Sequence, residues 1–418
     1  MIKFIDEKEA IEKYCKGLET PVLYTVFYRI DLVKKAFGQI KKVKPKKLYI
    51  AQDGPREHVE GDKEKVLAVR DYILSNIDWD CEFKTLFREK NLGLDKAMLG
   101  AIDWFFENEE QGIVIEEDVY MSLSGFYFLE KMLNKFKYDK DVWFVCAYNA
   151  TDITYDYAKT DNFNPWGWAG WKDKWKKIDF EHRDNIGFLD DYFENKRIAK
   201  FSKAFMNPSK RYLTKYGYDF KMCIEMMANS AYAIIPKISL AVNLGFFNGT
   251  HATPDIINDN IYKYHPRVED LKEIDVDALE DYIETPIMKT FEPIMKTFEK
   301  GHIISENFNI FNSITSDKAE TNLKNIVSTY KKIAIYGAGM LGYLLYATYD
   351  DLLSDKVCCF LDDDPKDVEL MGKPIVKPEN IPDDVDLVII SPQSKKAYEN
   401  MKEKVNSKKA VWLRDLVF

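Results

Sequence analysis

Gly112-Ile113-Val114-Ile115-Glu116-Glu117-Asp118 passes from small and apolar residues straight into three acids. A run this short, β-branched and without polar alternation predicts a buried strand of the parallel kind, covered on both faces. Three acids at its carboxyl end are costly to desolvate unless something cationic meets them there. Open α/β sheets place their ligands at that edge. A hard divalent cation, Mg2+ or Mn2+, takes oxygen ligands of this type and can be shared with a diphosphate. The triplet also reads as a solvated strand end in which Asp118 caps the following segment. The residues alone leave both readings open.

Strand and helix patterns alternate on either side of this run. Pro21 to Phe27 predicts a strand and Asp31 to Val43 an amphipathic helix. Lys47 to Ala51 predicts a second strand, closed by the turn-forming Gln52-Asp53-Gly54-Pro55. Residues 63–77 read as a helix and Trp79 to Phe87 as a third strand. In residues 96–107, Met98, Ile102, Phe105 and Phe106 share one helical face. Downstream, Trp168, Trp171 and Trp175 fall at helical spacing and predict one buried helix face. The alternation argues for a mixed α/β domain over residues 1–265.

Two further regions follow. Residues 266–327 are at first highly charged and carry the heptad Pro-Ile-Met-Lys-Thr-Phe-Glu twice, at 286–292 and 293–299, which reads as a duplicated helical connector. Residues 328–418 open with a strand, the turn Gly337-Ala338-Gly339-Met340-Leu341-Gly342 and a helix. A second strand ends at Asp362, 20 residues after Gly342. This order predicts a small Rossmann-like domain. Glycines at a helix N-terminus can hold a pyrophosphate and the acid a ribose hydroxyl, so Gly337, Gly339, Gly342 and Asp362 are a candidate second nucleotide site. A scaffold or oligomerisation role competes with that reading.

Composition narrows the function classes. A length of 418 residues favours two or three domains. A net charge of -9 with no basic tract argues against a nucleic-acid binder. The 46% hydrophobic content is too high for a disordered chain. The 6 Cys form no C-x-x-C pair, so zinc and dithiol chemistry are not indicated and a reducing cytoplasm is expected. The apolar stretch Ala231 to Phe247 is broken by Pro236, Lys237 and Asn243, so it does not read as a membrane span. The charged first ten residues do not read as a secretory leader.

Residues 20–255 resemble the GT-A glycosyltransferases. The order of Pro21 to Arg29, Tyr49 to Arg56, Asn91-Leu92-Gly93, Ala101 to Phe106 and the acidic triplet is similar to the bacterial haemolytic-protein-HlpA-like nucleotide-sugar transferases. More distantly it is similar to the alpha-1,3-mannosyl-glycoprotein beta-1,2-N-acetylglucosaminyltransferases. Those families have Glu-Asp-Asp where this chain has Glu116-Glu117-Asp118, so the third acid is retained and the middle one departs. The resemblance implies Asp118 as a metal ligand for Mn2+ or Mg2+ and Glu116 and Glu117 beside the nucleotide sugar. It also implies Arg29 near the diphosphate, Asp53 on the base of a uridine nucleotide, and Arg88 and Asn91 toward ribose or phosphates.

The block Tyr218-Asp219-Phe220, followed by Ile234 to Phe246 and Gly249-Thr250-His251, completes the likeness. The resemblance makes Asp219 the catalytic base, with Glu225 as the alternative, and His251 a metal or phosphate contact on a lid. It places Trp166 and Trp168 on the acceptor side, where rings stack on sugars. The C-terminal domain resembles the nucleotide-binding modules of sialic-acid-type O-acetyltransferases.

The expected activity is therefore inverting, metal-dependent transfer from a nucleoside-diphosphate sugar, such as a UDP-sugar. The acceptor would be a bacterial surface glycan, free or lipid-linked, met at the inner face of the cell membrane. The competing readings are a sugar nucleotidyltransferase and a non-catalytic sensor of NAD or a nucleotide sugar.

Overall fold

The computed structural model describes residues 2–149, 151–178, 187, 189, 196–205, 218–245, 266–282, 285, 287–288, 313–365, 367–392 and 395–417. The chain is α/β throughout and divides into two compact units. Unit 1 comprises Met1–His182 and Tyr216–Phe291, and unit 2 Arg183–Lys215 and Glu292–Phe418.

The strands of unit 1 are β1 (Phe4–Ile5), β2 (Val22–Val26), β3 (Lys47–Gln52), β4 (Glu82–Phe87), β5 (Gln111–Glu116), β6 (Val119–Met121), β7 (Val142–Cys146), β8 (Tyr157–Thr160), β9 (Trp168–Trp171), β10 (Tyr232–Pro236), β11 (Ala241–Asn243), β12 (Glu273–Ile274) and β13 (Ile287–Met288). Nine of them form one sheet in the order β13-β8-β10-β7-β9-β5-β2-β3-β4. β2, β3, β4 and β5 are parallel, and β9 lies antiparallel between β5 and β7. Every residue of β2 is buried, which is why its sequence is a continuous run of apolar and β-branched residues. The helix Ile30–Val43 buries Val33, Ala36, Phe37, Ile40 and Val43, one apolar stripe at helical spacing.

Chain order reverses beside β2. β3 and β4 lie to one side, and β5, reached only after both, lies on the other. Such a switch point leaves a crevice at the carboxyl ends of the two central strands, because the connections leave in opposite directions. Residues 27–29 and 116–118 occupy that crevice.

Two expectations are corrected here. Trp168 and Trp171 lie on a strand, and the helix is only Lys172–Trp175. Ala169 and Gly170 between the two tryptophans let β9 fit closely: a Cβ on Gly170 would stand 2.9 Å from the Phe144 ring of β7. All three tryptophans are nevertheless buried, so the spacing reported burial correctly and geometry wrongly.

The expected connector over 266–327 is likewise not a single helical element. β12 pairs antiparallel with β1, and the Glu273 carboxylate accepts the N–H groups of Leu123 and Ser124 at 2.8 and 2.7 Å. That places a negative charge at the N-terminus of the helix Leu123–Phe136, where it is favoured. Ile274, Val276 and Leu279 are buried in the unit 1 core, so long-range burial overrides the local charge pattern. Ile287 and Met288, from the first heptad copy, pair with β8. The second copy lies outside the described residues.

Unit 2 contains β14 (Ile333–Tyr336), β15 (Val357–Leu361), β16 (Glu369–Leu370), β17 (Lys373–Val376), β18 (Leu387–Ile390) and β19 (Ala410–Trp412), in the order β16-β17-β15-β14-β18-β19. All but β16 run parallel, as expected for a Rossmann-like sheet. The helix Asp317–Thr329 packs into this unit's core through Ala319, Leu323 and Ile326.

Candidate functional site

The crevice of unit 1 is organised by Arg29. It follows β2 and stands at the N-cap of the helix Ile30–Val43, whose first turn it does not cap with its side chain. Its Nε donates to Glu117 Oε1 at 2.5 Å and its Nη2 to Asp118 Oδ2 at 2.8 Å. The other Glu117 oxygen accepts the Phe27 N–H at 2.6 Å. Glu117 therefore clamps the ends of β2 and β5 together and uses both oxygens in doing so. Burial opposes the Arg29 charge, but the carboxylates of Asp118 and Glu117 outweigh it and raise the guanidinium's pKa above its ordinary value.

Asp118 differs from Glu117 in one respect. It is only 8% exposed, yet its Oδ1 is buried and has no hydrogen-bond partner. A buried acceptor left open costs about 1–3 kcal/mol, and such groups are rare in native proteins. Asn243 Oδ1 is open in the same way. The antiparallel pairing of β6 with β11 sets Asn243 opposite Val119, the residue after Asp118. The Leu244 N–H then donates to the Asp118 carbonyl at 2.6 Å, closing the end of that two-stranded pair.

Glu116 completes the acidic group. Burial first, then the nearby charges of Asp118 and Asp219, push its carboxyl up to about 8, while the Tyr218 hydroxyl, donating to Oε1 at 2.9 Å, acts the other way. Asp219 lies in the first turn of the helix Tyr218–Ala228 and is close enough for its charge to be felt at Glu116. Glu225, the alternative base, is on the same helix and almost fully buried. Glu116, Glu117, Asp118 and Asp219 thus gather near Arg29, and the open Asp118 Oδ1 is the oxygen that fits a hard divalent cation.

The remaining expected residues divide. Asp53 is buried at the end of β3 and accepts from the N–H groups of Gly54, Leu92 and Gly93 at 2.9, 3.0 and 3.2 Å. Asn91 Nδ2 donates to Asp53 Oδ2 and to the Gly54 carbonyl, both at 2.9 Å. In this arrangement the pair latches the loops after β3 and β4 to each other, and the latch occupies both Asp53 oxygens. Arg88 lies against the helix Leu94–Asn108: a Cβ on Gly100 would meet its Nη2 at 3.0 Å.

Trp168 is fully buried among Phe106, Phe144, Phe163 and Trp175. It is a core residue and does not line an acceptor cleft. Trp166 is partly buried and stacks edge-on against Tyr148 at 4.5 Å. His251 lies outside the described residues. Among the described residues no group of three His, Cys, Asp or Glu side chains stands as a preformed metal site.

Sequence reasoning missed the part played by four residues. Gln52 Nε2 supports the turn after β2 by donating to the Phe27 carbonyl at 2.9 Å. Asn243 was visible as a break in an apolar run and Gly245 only as part of the block Ile234 to Phe246, and their role depends on pairing between residues 119–121 and 241–243. Arg56, held by Asp62, covers the Phe27 and Tyr28 rings at 5.3 and 4.9 Å and adds a second cation near the crevice.

In unit 2, Gly337 at φ +106 follows β14, and a Cβ there would stand 2.3 Å from Ser391 Oγ. That hydroxyl donates to the Tyr336 carbonyl at 3.0 Å. The Tyr336 hydroxyl donates to Asp363 at 2.6 Å, and Asp362 Oδ1 accepts the Asp364 N–H at 3.0 Å. Gly339 is the N-cap of the helix Met340–Thr348, and Gly342 packs against the Gly337 carbonyl.

No protein-family model matches the chain, and no curated protein matches it. Among solved structures, HddC from Yersinia pseudotuberculosis is 13% identical, with a TM-score of 0.28 over 54% of this chain and 94% of that one. UDP-glucose pyrophosphorylase complexed with UDP-glucose is 10% identical, with a TM-score of 0.30 over 54% of this chain and 94% of that one. The glycosyltransferase GlyE of Streptococcus pneumoniae TIGR4 is 10% identical, with a TM-score of 0.29 over 94% of this chain and 92% of that one. Similarity this low carries no argument about chemistry, which rests on the crevice itself.

Proposed function

We propose that this chain is a divalent-metal-dependent glycosyltransferase that takes a nucleoside-diphosphate sugar, such as a UDP-sugar, at the β2–β5 switch point. The supporting observation is the buried, open Asp118 Oδ1, on a carboxylate whose other oxygen shares the Arg29 guanidinium with Glu117. A diphosphate is the ligand class that brings a hard cation to such oxygens.

Asp118 would hold Mn2+ or Mg2+, which when bound supplies positive charge for the diphosphate. Arg29 faces the same phosphates, and Glu117 orients it from below. Asp219 takes the proton of an acceptor hydroxyl as that oxygen attacks the anomeric carbon, which requires hydrogen-bond reach to the acceptor. A single displacement of this kind inverts the anomeric centre. Trp166 stands on the acceptor side, and a glycan of the bacterial surface is the acceptor class we infer. Among the described residues no helix is long and apolar enough to cross a membrane.

The competing activity is nucleotidyl transfer, in which a nucleoside triphosphate and a sugar phosphate release pyrophosphate. In this chain the turn after β2 is only Phe27-Tyr28-Arg29 before a helix begins, too short for a glycine-rich phosphate loop. The test is a thermal-shift panel of UDP-, GDP-, CDP- and dTDP-sugars with and without Mn2+, followed by product analysis. Metal-dependent stabilisation and release of nucleoside diphosphate support glycosyl transfer. Pyrophosphate release from a triphosphate would replace it with nucleotidyl transfer, and no metal-dependent shift with any nucleotide would remove the donor site.

A further inference from the structure

The residues set beside Asp118 belong to β11 and the turn that follows it. Gly245, two residues beyond β11, presents its bare Cα to the crevice. A Cβ placed there would stand 2.5 Å from Asp118 Oδ2, 2.6 Å from Arg29 Nη1 and 3.2 Å from Asn243 Oδ1. Three polar groups from distant parts of the chain therefore pack against the Gly245 Cα too closely for any side chain there. Two of them, Asp118 and Asn243, each carry a buried oxygen with no hydrogen-bond partner. The oxygen of Asp118 nearest Gly245 is Oδ2, held by Arg29, and the open one is Oδ1 of the same carboxylate; two open acceptors on neighbouring side chains are an unfavourable arrangement for the protein alone. A carboxylate and a side-chain amide oxygen are also a standard pairing around a hard cation.

We infer that Asn243 is the second protein ligand of the divalent cation, through Oδ1, and that Gly245 is the glycine whose missing Cβ lets Asp118 and Asn243 approach each other. The inference rests on the metal-dependent reading above and extends it to residues outside the acidic triplet. The cation brings two unmatched oxygens into use at once, one from the residue before β6 and one from the last residue of β11. Arg29 keeps Asp118 Oδ2, so cation and guanidinium share the carboxylate and do not compete for the same oxygen.

The experiment is a titration of the full chain with Mn2+ alone, reading free Mn2+ by electron paramagnetic resonance, with no nucleotide present. Wild type is expected to bind one Mn2+, and Asp118→Asn to lose it. Asn243→Ala should weaken affinity at least about tenfold, since even supporting residues of metal sites cost that much. Asn243→Asp should retain binding, because a carboxylate offers an oxygen whichever way the amide had been turned. Gly245→Ala should lose binding, with a thermal melt confirming that each variant is folded. Wild-type-like Mn2+ affinity in Asn243→Ala overturns the inference, and if Asp118→Asn still loses the metal the proposed function survives it. Absence of Mn2+ binding in wild type overturns both the inference and the metal-dependent part of that function.

Discussion

The carboxyl edges of the two large sheets share a plan and differ in what they leave unfinished. In each, a central parallel strand is flanked on both sides by strands that follow it in the chain, and a helix starts just beyond it. At the β14–β18 edge, Ser391, Tyr336 and Asp362 all find partners within the unit. At the β2–β5 edge, Asp118 and Asn243 keep open, buried oxygens. The glycine turn of unit 2 is the more familiar signal, yet the physical mark of a ligand is on the other edge. Glycines and an acid at the right spacing are compatible with a turn that has already satisfied itself. An unmatched buried acceptor is not, because it lowers stability unless something binds there.

The largest effects should break the comparison at the first edge. Asp219→Asn should reduce transfer by about 10²–10⁴-fold, the range for a lost general base, while leaving Mn2+-dependent donor binding intact. Full activity in that variant would remove Asp219 as the base. The next effect separates the edge from the body of the sheet. Trp168→Ala should cost about 3–5 kcal/mol of stability, as for other buried aromatics, measured by denaturant unfolding. Trp166→Ala should instead raise the acceptor KM with a smaller loss of stability.

A third measurement asks whether the second edge takes part at all. With donor at a hundredfold excess over its Kd, Mn2+-dependent stabilisation should be about 2.7 kcal/mol, and Asp362→Asn should leave it unchanged. Loss of the shift in that variant would move nucleotide binding to unit 2.

The smallest expected effect concerns a buried carboxylate that is fully matched. Lys13 and Lys3 donate hydrogen bonds to Asp275 and hold its carboxyl at about 2, below the usual 3.8. Its contribution to stability is fully present above that usual value and is lost as pH falls through about 2. Acid unfolding of Asp275→Asn should be less steep across this window, and an unchanged profile would mean that the pair does not form.

Much of the fold was legible because the central strands are buried on both faces. The continuous apolar runs at 22–26, 47–52 and 111–116 follow directly from that burial. The helix at 94–108 was legible from Met98, Ile102, Phe105 and Phe106. Trp168 to Trp175 was not, since a short strand followed by a single helical turn can bury the same three rings as one helix. Charge misled the reading of 266–282, where Glu273 and Asp275 are structural: one meets a helix N-terminus and the other two lysines. Asp53 and Asn91 were legible as polar loop residues near the edge, but not as partners of each other.

By itself, then, the sequence determined where buried strands end and that acids stand at those ends, because composition and periodicity are local properties. It also fixed the nearness of Glu116, Glu117 and Asp118, which needs no folding to be known. Only the tertiary structure decided which of those acids is already matched. Glu117 is consumed by Arg29 and the Phe27 N–H, 88 and 90 residues away in the chain. Asp118 is left with an open oxygen beside Asn243, which reaches it through the pairing of β6 with β11. Hydrogen-bond satisfaction depends on neighbours in space, and those neighbours are set by topology.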